Sequence, residues 1–140
     1  MAEHLVRHAL NSKDGPLKIL KTDSFGLSAF PGSSASENSV FALSKVGLDL
    51  SSHISKSVDQ VNLSDAAAFF CMTDSHRDML LRFHGTDLEK THLMRDWVEG
   101  NQKNIPDPFG GGVDEYLECR DAMVEAIPGL IAYLENELNS

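Results

Sequence analysis

The segment Ala66-Ala67-Ala68-Phe69-Phe70-Cys71-Met72 constrains the fold more than any other stretch of this chain. It is an unbroken apolar run of strand length, the pattern of a strand buried on both faces. Such a strand needs helices above and below it, and the flanking sequence supplies them. Residues 2–11 carry Ala2, Leu5, Val6, Ala9 and Leu10 at helical spacing, ended by Gly15-Pro16. Leu17 to Ser24 alternates as a short strand would. Gly26 to Ser36, with one Pro, two Gly and four Ser, reads as a loop. A helix from Glu37 to Val46 is expected next, capped by Ser36 and stopped by Gly47. Residues 48–64 are Ser-rich and irregular. After the apolar run come a helix from Ser75 to about His84, a strand from Leu93 to Val98 and a loop from Gly100 to Gly112. A long helix closes the chain, its apolar side built from Tyr116, Leu117, Met123, Ile127, Leu130, Ile131 and Leu134 with Val113, and Pro128 should kink it. Strands alternating with helices predict an α/β domain with a doubly wound parallel sheet. One feature is out of place. Open parallel folds place their first strand centrally, and the turn after it carries the ligand site. This sequence opens on a helix.

Charge and composition narrow the function. Hydrophobic residues make up 41% and charged residues 24%, ordinary for a soluble globular protein. The formal net charge of -9 repels a phosphate backbone, which argues against nucleic acid as a partner. Most of the surplus lies between Asp107 and Ser140, where Asp107, Asp114, Glu115, Glu118, Asp121, Glu125, Glu135 and Glu137 face Arg120 alone. A solvated helix face accounts for it. No apolar run approaches the roughly 20 residues that cross a bilayer, so no membrane partner is expected. Cys71 and Cys119 are too few for a disulfide framework, and a reducing cytoplasm is the expected setting.

The local signal for chemistry is Ile105-Pro106-Asp107-Pro108-Phe109-Gly110-Gly111. Prolines on both sides restrict the backbone of Asp107, and the turn presents one carboxylate beside an aromatic ring. That suits a positioned general acid. It equally suits an aspartate capping the helix that begins near Val113. His4 and His8, four apart on a helix, could share a metal, but a third ligand is not evident and solvent-facing histidines explain them as well.

Several stretches, in order and spacing, resemble the low-molecular-weight protein-tyrosine phosphatases. They are Met1-Ala2-Glu3-His4-Leu5, Ser24-Phe25-Gly26-Leu27-Ser28-Ala29, Ala42-Leu43 through Gly47-Leu48-Asp49-Leu50-Ser51-Ser52-His53, and Met72-Thr73-Asp74-Ser75-His76-Arg77. Asp107-Pro108-Phe109-Gly110-Gly111 with Tyr116 completes the set. Phe109-Gly110-Gly111 is most similar to the bacterial protein-arginine-phosphatase branch. The resemblance covers essentially all 140 residues. It implies a flavodoxin-like fold of the phosphotyrosine protein phosphatase I type, with a four-stranded parallel sheet when complete. It implies hydrolysis of phosphotyrosine or phosphoarginine on protein through a phosphocysteine, with no metal and no cofactor. Asp107 would be general acid and then base, Phe109 would line the substrate pocket, and Ser24 would support the phosphate loop. Phe25 stands where the family usually has Ala.

The sequence departs from the family at one place. The family's first strand and its Cys-x5-Arg-Ser/Thr-Pro loop come immediately before the Met-Ala-Glu helix, and this chain starts at that Met. The domain over residues 1–140 is therefore expected to be N-terminally incomplete and, as it stands, inactive. Either Met1 is an internal methionine or the chain is a shortened paralogue, a non-catalytic remnant that acts as a binding module. Cys71 to Arg77 itself spells Cys-x5-Arg between a strand and a helix. It lacks the glycine that a tight amide nest needs and carries Asp74 where an anion would sit. Cys71 is expected to be a small buried apolar residue, and His76 and Arg77 to cap or face solvent on their helix. Without the first strand, the neighbouring strand edges are open to pairing with a second copy.

Overall fold

The computed structural model describes residues 1–27 and 31–139; Ser28 and Ala29 of the Ser24–Ala29 motif, and Ser140, lie outside the described residues. Four α-helices and two strands follow in the order α1 (Ala2–Asn11), α2 (Glu37–Ser44), β1 (Phe69–Cys71), α3 (Asp74–Phe83), β2 (Thr91–Leu93) and α4 (Val113–Asn139), with short 3-10 turns between them. The strands pair in parallel, Phe69 with Thr91, Phe70 with His92 and Cys71 with Leu93. Parallel pairing requires a crossover, and α3 provides it.

Period-two alternation sorts the strand side chains between two layers. Phe69, Cys71 and Leu93 pack with Leu80 of α3 on one face. Ala68, Phe70, Met72 and Met94 turn to the other, where α1, α2 and α4 enclose the larger core of Leu5, Leu10, Leu43, Leu50, Ile105, Met123 and Leu130. Helices thus cover both faces of the sheet, the doubly wound α/β arrangement. Phe70 is only half-buried, so β1 is less enclosed than its apolar run suggests.

The helix boundaries follow from local chemistry. Ser36 caps α2 by accepting from the Ser39 amide at 3.2 Å, and Gly47 takes φ 80° just beyond its end. Thr73 caps α3 through the His76 amide at 3.3 Å. In α4, which runs 27 residues, Pro128 does not end the helix. Gly129 beside it has a packing reason: a Cβ there would lie 2.5 Å from the Trp97 Cβ. The glycine is what lets the segment after β2 lie against α4.

Two expected strands need correction. Leu17–Ser24 is not a strand; Pro16–Ile19 forms a 3-10 turn and residues 20–24 are extended without a ladder. A strand exists only as a partner in a pair. Among the described residues the backbone of 17–24 pairs with neither strand of the sheet. Side chains of α1 hold it instead. The second strand is Thr91–Leu93, not Leu93–Val98. Asp96 accepts the Leu93 amide at 3.0 Å and starts a turn that ends the ladder. Among the described residues the sheet has two strands, fewer than the four that the resemblance implies.

Candidate active site

Three segments meet beyond the carboxyl end of β1, the place where open parallel sheets bind ligands. The first is the start of α1, whose leading amides have no side-chain cap. Such amides are a ready anion-binding surface. The second is the extended segment carrying Ser24. The third is the loop around Asp107.

Glu3 joins the first two. Its carboxylate accepts from the Ser24 hydroxyl at 2.5 Å through Oε1 and pairs with the Arg7 guanidinium through Oε2. Arg7 also donates to the Thr22 hydroxyl at 3.1 Å and the Thr22 carbonyl at 3.2 Å. The Glu3 side chain is only 9% exposed, and both donors satisfy its carboxylate there. Ser24 is therefore fixed against the first turn of α1.

The Asp107 loop is fastened to the sheet. The Ile105 amide donates to the Met72 carbonyl at 2.8 Å, and Asn104 Oδ1 accepts the Asp74 amide at 2.9 Å. Buried Arg95 holds the stretch before it, donating to the carbonyls of Gln102 at 2.8 Å and Ala122 at 2.9 Å and to Glu125 at 3.1 Å. Asp107 itself is exposed, and its Oδ1 accepts the Phe109 amide at 3.0 Å. That bond closes a turn within the loop rather than capping α4. Among the described residues the second carboxylate oxygen has no hydrogen-bond partner. The Gly111 amide reaches the Pro108 carbonyl at 2.8 Å, and a Cβ at Gly111 would crowd that carbonyl and the Glu115 side chain at 3.0 Å. Phe109 crowns the turn, 85% exposed.

Electrostatics relates this loop to the start of the chain. Burial pushes the Cys119 thiol up; the Met1 ammonium beside it opposes that shift, and the Asp107 carboxylate adds to it. Burial likewise pulls the Met1 amine down, against the influence of Cys119 and Glu3. Met1, Cys119 and Asp107 thus share one neighbourhood.

The Cys71–Arg77 segment is an ordinary strand-to-helix junction. Its amides are already engaged, Asp74 by Asn104, His76 by the Thr73 hydroxyl and Arg77 by the Thr73 carbonyl. Burial raises the Cys71 thiol to about 11, with Arg77 lowering it and Asp96 raising it. A thiol of that kind is not a nucleophile at neutral pH. His76 is exposed, whereas the Arg77 Nε is buried and unpartnered among the described residues, so Arg77 is not a simple solvent-facing residue.

His4 does not pair with His8, which is exposed on α1. Its ring meets His53 edge to face, with centroids 5.2 Å apart. The roles of Glu3, Arg95 and Asn104 as fasteners had no signal in sequence, since each acts on a distant segment.

The fold is that of a doubly wound α/β domain, with an aspartate turn fastened at the carboxyl end of β1. The chain belongs to the low molecular weight phosphotyrosine protein phosphatase family, whose family model matches residues 1–140. It is 29% identical over 118 residues to a protein-arginine-phosphatase of Geobacillus stearothermophilus, covering 84% of this chain and 79% of that protein. The solved arginine phosphatase from the same organism superposes with a TM-score of 0.80 at 28% identity, over 97% of this chain and 84% of that one. A low molecular weight protein tyrosine phosphatase from T. tengcongensis gives a TM-score of 0.82 at 26% identity, covering 94% and 88%. Among the described residues, no helix is long and apolar enough to cross a membrane.

Proposed function

We propose that these 140 residues are the body of one phosphatase domain that removes phosphate from arginine or tyrosine side chains of proteins in a reducing cytoplasm. The reading rests on the Asp107 turn, fastened to the end of β1 in a chain of this family. In the reaction a cysteine thiolate outside these residues attacks phosphorus. The bond from phosphorus to the leaving oxygen or nitrogen breaks as Asp107 delivers its proton there. Water then attacks the phosphocysteine, Asp107 takes the proton from it, and the P–S bond breaks to return thiolate and free phosphate. Phe109 packs against the substrate side chain. Ser24, held by Glu3, supports the loop that receives the phosphate oxygens. The arginine substrate is favoured by Phe109-Gly110-Gly111 and by the names of two curated relatives. No metal or cofactor enters these steps.

The test adds a family-like strand and Cys-x5-Arg loop ahead of Met1. Activity is expected to appear, and Asp107→Ala to reduce it by about 10²–10⁴-fold on substrates with poor leaving groups. Substrates with very good leaving groups should suffer less. Equal loss on both would make Asp107 structural. The 140 residues alone should not hydrolyse aryl phosphates above background; turnover abolished by Cys71→Ser would overturn the assignment of Cys71 as inert. If the extended protein also stays inactive, the second reading, a non-catalytic binding module, takes its place.

A further inference from the structure

We propose that Glu3, His4 and His53 form a binding site for a divalent transition-series cation, zinc above all, which bridges the first turn of α1 and the segment after Asp49. One donor atom from each of the three side chains lies within 4.8 Å of the other two. They converge from distant parts of the sequence. A second observation points to a ligand: the His4 Nδ1 is buried and has no hydrogen-bond partner among the described residues. A buried ring nitrogen without a partner costs free energy unless something binds it.

The donor set selects the ion. Two imidazoles and one carboxylate suit zinc, cobalt, nickel or copper rather than magnesium or calcium, which prefer oxygen. Zinc takes such ligands at about 2.0–2.2 Å in a tetrahedron, with a water completing the fourth position. Donors around a tetrahedral ion sit roughly 3.4 Å apart, so the side chains must close by up to about 1.4 Å. Both rings and the carboxylate can do this by rotation.

The charges around the site also bear on affinity. The Glu3 carboxylate is shared with Arg7 and Ser24, yet each carboxylate oxygen keeps a second lone pair. Arg7 works against a cation. Asp49, close enough to feel the charge on His4, works for it. Burial holds His4 below the usual histidine range, as do Arg7, His53 and the Met1 amine, against the pull of Glu3. The ion takes no part in phosphate transfer. It crosslinks two segments that meet only in the folded state, and although it shares Glu3 with the support of Ser24, its test reads metal binding and not turnover.

The experiment adds Zn²⁺ alone, and Co²⁺ as its spectroscopic substitute, to the 140-residue protein in a buffer free of phosphate and chelators. One equivalent is expected to bind and raise the melting temperature, and Co²⁺ should give the intense visible absorption of a four-coordinate site. Bound Co²⁺ should give the ring protons of His4 and His53 the large contact shifts of ligated imidazoles, while those of His8, one turn away, move far less and through space alone. His4→Asn and His53→Asn should each weaken binding by about tenfold or more, while His8→Asn should leave it unchanged. Should either variant fail to fold, the resonance shifts in the unaltered protein decide the question. Absence of saturable binding, binding that survives both substitutions, or shifts centred on His8 or His84 would overturn the site.

Discussion

Gly129→Ala sets two effects of opposite sign against each other, and the structure says which wins. In the interior of a long helix alanine is favoured over glycine by about 1 kcal/mol, so propensity alone makes this a stabilising change. The added Cβ, however, would stand 2.5 Å from the Trp97 Cβ, with the Trp97 carbonyl oxygen at 3.4 Å. Real Cβ atoms do not approach that closely, so α4 or the 95–98 segment must move. Overpacking of this kind costs typically about 1–3 kcal/mol. Neither side can yield easily, because buried Arg95 ties the segment to α4 and Trp97 stacks on Tyr133 with centroids 4.7 Å apart. The net expectation is a loss of about 1 kcal/mol, a melting temperature lower by roughly 3–5 °C for a domain of this size. Thermal and urea unfolding of the two proteins measure it. The cause is checked in two backgrounds. In Trp97→Gly the clashing atom is gone, and Gly129→Ala should become stabilising by about 1 kcal/mol. In Trp97→Ala the Cβ remains, and the substitution should still destabilise. A Gly129→Ala protein more stable than the parent would refute the reasoning, as would equal effects in the two backgrounds.

Arg95→Met removes the charged donor to the Gln102 and Ala122 carbonyls and is expected to cost about 1.5–3 kcal/mol in urea unfolding, the usual worth of hydrogen bonds from a charged group; a loss under about 0.5 kcal/mol would show that the loop does not depend on it. Cys71 should resist thiol reagents at pH 8 in the native protein and react on unfolding; rapid native labelling would contradict its burial. Its thiol titrates at about 11 when folded against 9.0 when exposed, so the unfolded chain loses its proton first and this contribution to stability falls as pH rises from 9 to 11. A melting temperature flat across that window would count against the shift. The accessible surface of 8500 Å² exceeds the roughly 7200 Å² typical of a folded 15.4 kDa chain. With that excess and an unpaired edge on β1, the chain is expected to self-associate or melt broadly; a monomer in size-exclusion chromatography with one sharp transition would contradict this.

What the sequence made legible divides by the range of the interactions involved. The helix ends at Ser36 and Gly47 could be read because capping is decided within three or four residues, while the helix expected from Ser75 begins one residue earlier, capped by Thr73. The Asp107 turn was legible for the same reason: its prolines, glycines and the bond to the Phe109 amide are all local. Leu17–Ser24 misled because alternation reports which side chains face inward and says nothing of whether a neighbouring strand exists. Leu93–Val98 misled because Asp96 closes a turn onto the Leu93 amide and carbonyl, bending the chain away just past the last ladder bond, from Met94 to Cys71. The hold of Glu3 on Ser24 and the meeting of His4 with His53 join distant segments, and composition leaves no trace of either.

The Asp107 loop hangs from the sheet at Ile105 and Asn104, on the near side of the aspartate, while its tip at Phe109 touches little. Where the carboxylate stands and what lies beside it are therefore mechanically separate. The residue at 109 can be exchanged for a larger, smaller or polar one without a force reaching the anchors. The loop is thus a cantilever: load placed on its free end at 109 is borne by the turn itself, and the Asp107 backbone keeps the place its root gives it.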